Sequence, residues 1–406
     1  MRLHEQLRAA AQIVLAVSNG RSLAAGLLKD VSADARPLVQ DIVFGVLRAG
    51  EAAFARLGAT GTIALPVACL LRCALYRLDT WPDRAHIVVS EAVKAAPPGG
   101  PGRLVNAVLR NYLRHQLENE CLAAENPAVI WQHPRWWIDK VRRDYPEDWK
   151  TILATGNQHP PLALRVNVRQ ISPDDYLDCL TARGLAGQRV GPVGILLDKP
   201  VPARELPGFF EGWVSVQDLG AQEAIRHLSP PPGSAVLDAC AAPGGKAAHL
   251  LEAFDIRLTA MDLDAKRLRQ VRESFARLGL SGETVQGDAA TWAEGSFEAI
   301  LADVPCSASG IVRRQPDIKW LRRETDIARF AAQQKRILDN LWQRLKPGGA
   351  LLYATCSVFP EENTQQIAAF LPRHPEATLT EEKQLLPCAH HDGFYYARLV
   401  KAHLTP

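Results

Sequence analysis

Two cysteines stand just after apolar, strand-like runs: Cys306 in ADVPCSASG (302–310) and Cys356 in YATCSVFPEEN (353–363). Neither has a neighbour at metal-ligand spacing, and no C-x-x-C pair occurs in the chain, so no metal site is expected. A thiolate is intrinsically nucleophilic and a tolerable leaving group, which makes covalent catalysis the chemistry on offer. Taken singly, a cysteine is more often a small buried hydrophobe.

A second cluster lies in VLDACAAPGGKAAHL (236–250), a strand, a loop of small residues and a helix start. Its loop residues Cys240, Ala241, Ala242, Pro243, Gly244, Gly245 and Lys246 would let backbone pass close to a ligand, with helix N-terminal amides facing it. Asp262, Asp288 and Asp303 end successive strand-like runs after it. In an open α/β sheet, ligands sit outside the carboxyl ends of the strands. Asp262, ending the second strand, is placed for ribose hydroxyls. The loop A-A-P-G-G-K is neither G-x-G-x-x-G nor a Walker sequence. Any one of the aspartates could simply cap a turn or helix; three at consecutive strand ends point to a ligand.

The elements that must position these residues alternate regularly from Gly233 onward. SAVLDAC, RLTAMDLD, ETVQGD, FEAILADV and GALLYATC read as strands, with helices from Gly245, over 265–278 and near 326–345. That succession predicts a doubly wound α/β sheet. Residues 162–216 are mixed, with strands in ALRVNV and GWVSVQD and a helix in PDDYLDCLTARG. Roughly the first 130 residues are helical by apolar spacing, as in LVQDIVFGVLRAG, LPVACLLRCALYRL, AHIVVSEAVKAA and RLVNAVLRNYLRHQL. The Trp-rich stretch NPAVIWQHPRWWIDKVRRDYPEDW (126–149) marks a boundary, and its rings are expected to pack as core.

A chain of 406 residues, 47% hydrophobic, can bury more than one core. Its net charge of +3 confines any nucleic-acid surface to a local patch. No run approaches the ~18 apolar residues a membrane helix needs, and the N-terminus carries no signal-peptide pattern. Eight scattered cysteines suit a reduced, cytoplasmic setting.

ACAAPGGK, DVPCSASG followed by RRQPDIKW, and YATCSVFPEEN together resemble the RsmB/Sun (Fmu) family of bacterial rRNA 5-methylcytosine methyltransferases. DIVFGVLR and LVNAVLRNYL resemble the NusB-like domain of that family. The resemblance implies a NusB-like helical RNA-binding domain (1–130), linker helices with a small α+β subdomain (131–225) and a Rossmann-like methyltransferase domain (226–406). It implies S-adenosylmethionine as cofactor, 16S rRNA as partner, and a monomer. It assigns thiolate attack on cytosine carbon 6 to Cys356, product release to Cys306, and a place beside the cofactor to Asp303. Carbon 5 alone is too weak a nucleophile for a methyl sulfonium; addition at carbon 6 makes the ring an enamine that can take the methyl. Ala247 stands where the family frequently carries Thr.

Arg313, Arg314, Lys319, Arg322 and Arg323 crowd IVRRQPDIKWLRRE (311–324), directly after the P-C-S motif, and are expected to meet RNA phosphates. The target base must leave any stack to be reached, favouring a loop or single strand. A DNA cytosine methyltransferase would place its nucleophile in P-C, at Cys306. A tRNA-specific enzyme would share the same catalytic motifs, and the helical half alone would suit a non-catalytic antitermination factor.

Overall fold

The computed structural model describes residues 1–50, 63–115 and 126–403, which fall into two compact units. One comprises residues 1–159 and 312–324, the other 160–311 and 325–406.

The first unit is helical, with helices Leu3–Ser18, Arg36–Ala49, Leu65–Thr80, Ala85–Ala95 and Gly102–Arg114. Apolar residues three and four apart give each helix one stripe, and the stripes share a core that includes Val14, Ile42, Leu71, Val88 and Leu109. Cys69 and Cys73, one turn apart, are buried in that core as apolar filler, whereas Cys121 lies outside the described residues. The unit continues past residue 130 through helices Pro127–Trp131, Arg135–Asp144 and Trp149–Gly156. There the tryptophans pack: Trp137 is buried, and the Trp131 and Trp149 rings lie 4.9 Å apart. Segment 312–324 also belongs to this unit. Asp317 accepts hydrogen bonds from the Ser22 hydroxyl and the Leu23 N–H, each 2.9 Å, and Trp320 Nε1 donates to the Leu47 carbonyl at 2.7 Å. No helix among the described residues is long and apolar enough to cross a membrane.

The second unit holds two sheets. Strands β1 (Leu162–Val166), β2 (Gly187–Val190), β3 (Gly194–Leu197) and β4 (Val214–Val216) form an antiparallel sheet in the order β2-β3-β1-β4. Helix Pro173–Ala182 covers one face, burying Tyr176 and Leu180 against Leu164, Ile195 and Val214. The larger sheet contains β5 (Ala235–Asp238), β6 (Arg257–Asp262), β7 (Glu283–Gln286), β8 (Phe297–Asp303), β9 (Leu345–Thr355), β10 (Ala377–Leu385) and β11 (Phe394–Lys401). Its order is β10-β11-β9-β8-β5-β6-β7, parallel from β9 to β7 and antiparallel at β11 and β10. The α/β alternation read from the sequence is therefore present, and β5 to β9 are the five strands expected. Strand order reverses between β5 and β8, which opens the ligand crevice of such sheets at the carboxyl ends of those two strands.

Candidate active site

The two cysteines meet because their strands are parallel neighbours in register. Asp303 of β8 lies opposite Ala354 of β9, and each strand runs into its cysteine within three residues. Val304 N–H donates to the Ala354 carbonyl at 3.0 Å, and Gly310 N–H to the Cys356 carbonyl at 2.9 Å, tying the two loops together. Gly310 allows this because a Cβ there would lie 2.3 Å from the Gly393 carbonyl oxygen. The result is a distance of 3.4 Å from Cys306 Sγ to Cys356 Sγ. The Cys356 contact, then burial, then the Glu362 carboxylate hold the Cys306 thiol well above its ordinary value. Cys306 thus keeps its proton, and the two sulfurs lie within hydrogen-bonding distance of each other.

Lys246 reaches the same place from the first turn of helix Gly245–Ala253. Its Nζ lies 2.6 Å from Asp303 Oδ2 and 5.6 Å from the centroid of the Phe394 ring. Burial works against the ammonium, but the adjacent Asp303 carboxylate outweighs it, with Cys356 and Asp238 adding, so Lys246 is held above its ordinary value.

Gly244, with φ 103°, occupies a conformation side chains rarely adopt, and turns the chain into that helix. The helix is clamped from the small sheet by Arg165 of β1, only 1% exposed. Its guanidinium makes a two-pronged pair with Glu252 at 2.7 and 2.8 Å and donates to the Gly245 carbonyl at 2.6 Å and to Gln217 Oε1 at 2.7 Å. The loop is therefore preorganised by a satisfied buried ion pair.

The aspartates differ in what already occupies them. Asp262, buried, accepts the Ala242 N–H at 3.1 Å and the Asp264 N–H at 3.0 Å, so it shapes the loop while keeping lone pairs to spare. Asp288 is exposed and accepts the Ala290 N–H at 2.9 Å, holding a turn. Cys240 sits within the loop, with a thiol raised well above its ordinary value by burial and then by Asp238, which makes it inert.

Asp238, the last residue of β5, is a site residue that the sequence reading missed. It is 1% exposed, and neither oxygen has a hydrogen-bond partner among the described residues. Burial foremost, then Asp303, pushes its carboxyl up to about 8, against Lys246 and a nearby Cys240 N–H that falls short of hydrogen-bond geometry. In the unfolded chain an Asp titrates near 4, so the native state binds the extra proton between pH 4 and 8 and loses stability as pH rises through that window. Asp238→Asn is accordingly expected to raise the melting temperature at pH 8 by at least about 2–4 °C, roughly 1 kcal/mol or more, and to change it little near pH 4. Equal shifts at both pH values in thermal melts would contradict this.

Two of the five basic residues expected to touch RNA are not at the surface. Lys319 is fully buried in the helical unit, its ammonium donating to the carbonyls of Arg48 and Gln132 and to Asn157 Oδ1 at 3.1, 3.0 and 2.7 Å. Arg313 is 1% exposed, and its carbonyl accepts from Arg48. Both are structural: burial and then Arg48 hold the Lys319 amine well below its ordinary value, three oxygens already surround it, and neither side chain presents a face a phosphate could approach. Arg314 and Arg322 are part-exposed and Arg323 exposed.

A family model described as 16S rRNA methyltransferase RsmB/F matches residues 225–400. Another, described as an RsmF/B-like, ferredoxin-like domain, matches residues 133–204. Over 351 residues the chain is 44% identical to the ribosomal RNA small subunit methyltransferase B of Vibrio cholerae, covering 82% of this chain and 81% of that protein. Over 422 residues it is 41% identical to the protein of the same name from Citrobacter koseri, covering 97% and 98%. Among solved structures, PH0851 superposes with a TM-score of 0.80 over 99% of each chain at 23% identity, a likeness of fold. A methyltransferase homolog protein from Pyrococcus horikoshii gives a TM-score of 0.60 at 27% identity, over 68% of this chain and 97% of that one.

Proposed function

The chain belongs to the RsmB/F family of 16S rRNA methyltransferases, and from that premise we propose that it methylates carbon 5 of a cytosine in 16S rRNA through a covalent bond from Cys356 to carbon 6. The observation that carries this reading is the pair of sulfurs 3.4 Å apart at the carboxyl ends of adjacent strands, beside the Lys246–Asp303 ion pair.

S-adenosylmethionine supplies an electrophilic methyl group. The residues at the ends of β5 and β6 fit it: Asp238 offers a buried carboxyl still lacking a hydrogen-bond partner, which an arriving ammonium would hold ionised, and Asp262 has acceptor capacity for ribose hydroxyls. Gly244 and Gly245 open the approach, and Asp288 stands exposed beyond them. On the RNA side, the Cys356 thiolate adds to carbon 6, assisted by the Lys246 charge. After transfer, the carbon 5 proton must leave so that the carbon–sulfur bond breaks. Cys306 is the group within reach to assist that elimination.

Labelled methyl donor tests the reading. The label is expected as 5-methylcytosine in 16S rRNA. Label only in tRNA would overturn the substrate class, and none in either RNA would favour a non-catalytic RNA-binding factor.

The helical unit is read as a NusB-like RNA-binding domain, and the protein as a cytoplasmic monomer on its rRNA substrate. Arg314, Arg322 and Arg323 remain candidates for phosphate contact. Their joint replacement by alanine is expected to flatten the log–log salt dependence of RNA binding by about 2, at ~0.7 per lost contact on single strands. An unchanged slope would put the RNA surface elsewhere.

A further inference from the structure

The P-E-E-N end of the second thiol motif has no part in the chemistry above, yet one of its glutamates is fully buried between the two cysteine loops. Glu362 Oε1 accepts the Ser307 N–H at 2.7 Å and Gln334 Nε2 at 3.0 Å; Oε2 accepts the Ser307 and Ser357 hydroxyls at 2.5 and 2.6 Å. Ser307 directly follows Cys306, and Ser357 directly follows Cys356. Each of the two hydroxyls spends its only proton on the carboxylate and accepts a backbone N–H, from Ser309 and from Phe359. The 3.2 Å approach of the two serine oxygens therefore has no proton of its own; Glu362 bridges the two hydroxyls, beside a second tie in which the Ser309 hydroxyl lies 2.9 Å from Ser357 Oγ and accepts the Val358 N–H.

We propose that Glu362 is a positioning residue that sets the gap between the two catalytic thiols, a role that rests on the covalent reading above. One carboxylate grips the residue after each cysteine. All four of its partners donate, so it acts as the anion; its hydroxyl and amide donors favour that form against burial, which pulls the carboxyl upward. Adjacent Glu361 is only partly buried. The carboxylate also faces Cys306, adding to the effects that keep its proton in place. A shift of about 1 Å between reacting groups can cost roughly a hundredfold in rate.

The test needs a readout of the gap that does not depend on turnover. Phenylarsine oxide bridges two close thiols: both S–H bonds break, two As–S bonds form, and the arsenic-bound oxygen leaves as water. Wild-type protein is expected to carry this bridge on the peptides holding Cys306 and Cys356, and Cys306→Ala or Cys356→Ala to lose it. Glu362→Ala should bridge at least about tenfold less and lower kcat about a hundredfold, with KM for RNA and methyl donor within about twofold; Glu362→Gln, which keeps the shape and one acceptor oxygen, should retain the bridge and lose about tenfold in kcat. If Glu362→Ala does not fold, Ser307→Ala/Ser357→Ala cuts the same clamp and should weaken bridging in the same direction. Wild-type bridging and kcat in Glu362→Ala would overturn the proposal. Full turnover by Cys356→Ala would sink the covalent reading instead, and the arsenical result would still report on the gap.

Discussion

Cys356→Ala is expected to lower methyl transfer by about 10⁴-fold or more while the protein still folds. Without the thiolate, carbon 5 of cytosine is not activated, and neither the ion pair at Lys246 nor the binding surfaces can replace a covalent intermediate. Folding should survive because the side chain is partly exposed and only its sulfur is lost; its carbonyl, which holds Gly310, remains. The melting temperature should therefore stay within the range of about 1 kcal/mol usual for a small truncation at such a site. Single-turnover transfer with excess enzyme is the measurement. Turnover near wild type, with an unchanged melt, would remove Cys356 as nucleophile. Cys306 does not simply take over: its contact with Cys356 is lost in this variant, but burial and the charge of Glu362 still hold its thiol above its ordinary value.

Much of this site was legible from the chain because strand ends leave a local signature. An apolar run stops, and small or polar residues follow; that pattern located Cys306, Cys356, the 240–246 loop and three aspartates without coordinates. What remained hidden depended on partners distant in sequence. Asp238 looked like one more strand residue, and its unpartnered carboxylate arises only when β6 and β8 close over both sides of β5. Nothing in P-E-E-N distinguishes Glu362 from Glu361 until the serines from two loops converge on one of them. The basic run 311–324 reads as a phosphate-contacting surface, yet Lys319 is satisfied by oxygens from Arg48, Gln132 and Asn157, up to 271 positions away. The hairpin β10–β11 escaped for a different reason. ATLTEEKQL is an edge strand with polar residues on most positions, and FYYARLVK buries both faces over its first four residues, so neither alternates cleanly.

Cys306→Ala should separate bond formation from bond breakage. Cys356 remains free to add to carbon 6, and methyl transfer to carbon 5 can follow, because neither step needs the second thiol. Elimination needs the carbon 5 proton to leave as the carbon–sulfur bond breaks. Cys306, 3.4 Å from the attacking sulfur, can pass its own proton to the departing Cys356 sulfur, and the Cys306 thiolate left behind takes up the carbon 5 proton. The expected product is a protein–RNA adduct that survives denaturing electrophoresis as a slower band and carries the labelled methyl group. Loss of Cys306 also removes its contact with the Cys356 sulfur but leaves the Lys246 charge in place, so adduct formation should not be slowed more than about tenfold. The double variant Cys306→Ala/Cys356→Ala should give no band. Were Cys306 the nucleophile, the pattern would invert, with Cys356→Ala trapping RNA and Cys306→Ala free of it. If neither variant traps RNA while the wild type still methylates it, two thiols 3.4 Å apart are not partners in one covalent cycle, and elimination must draw on another base in the crevice, for which Asp303, ion-paired to Lys246 at 2.6 Å, is a candidate.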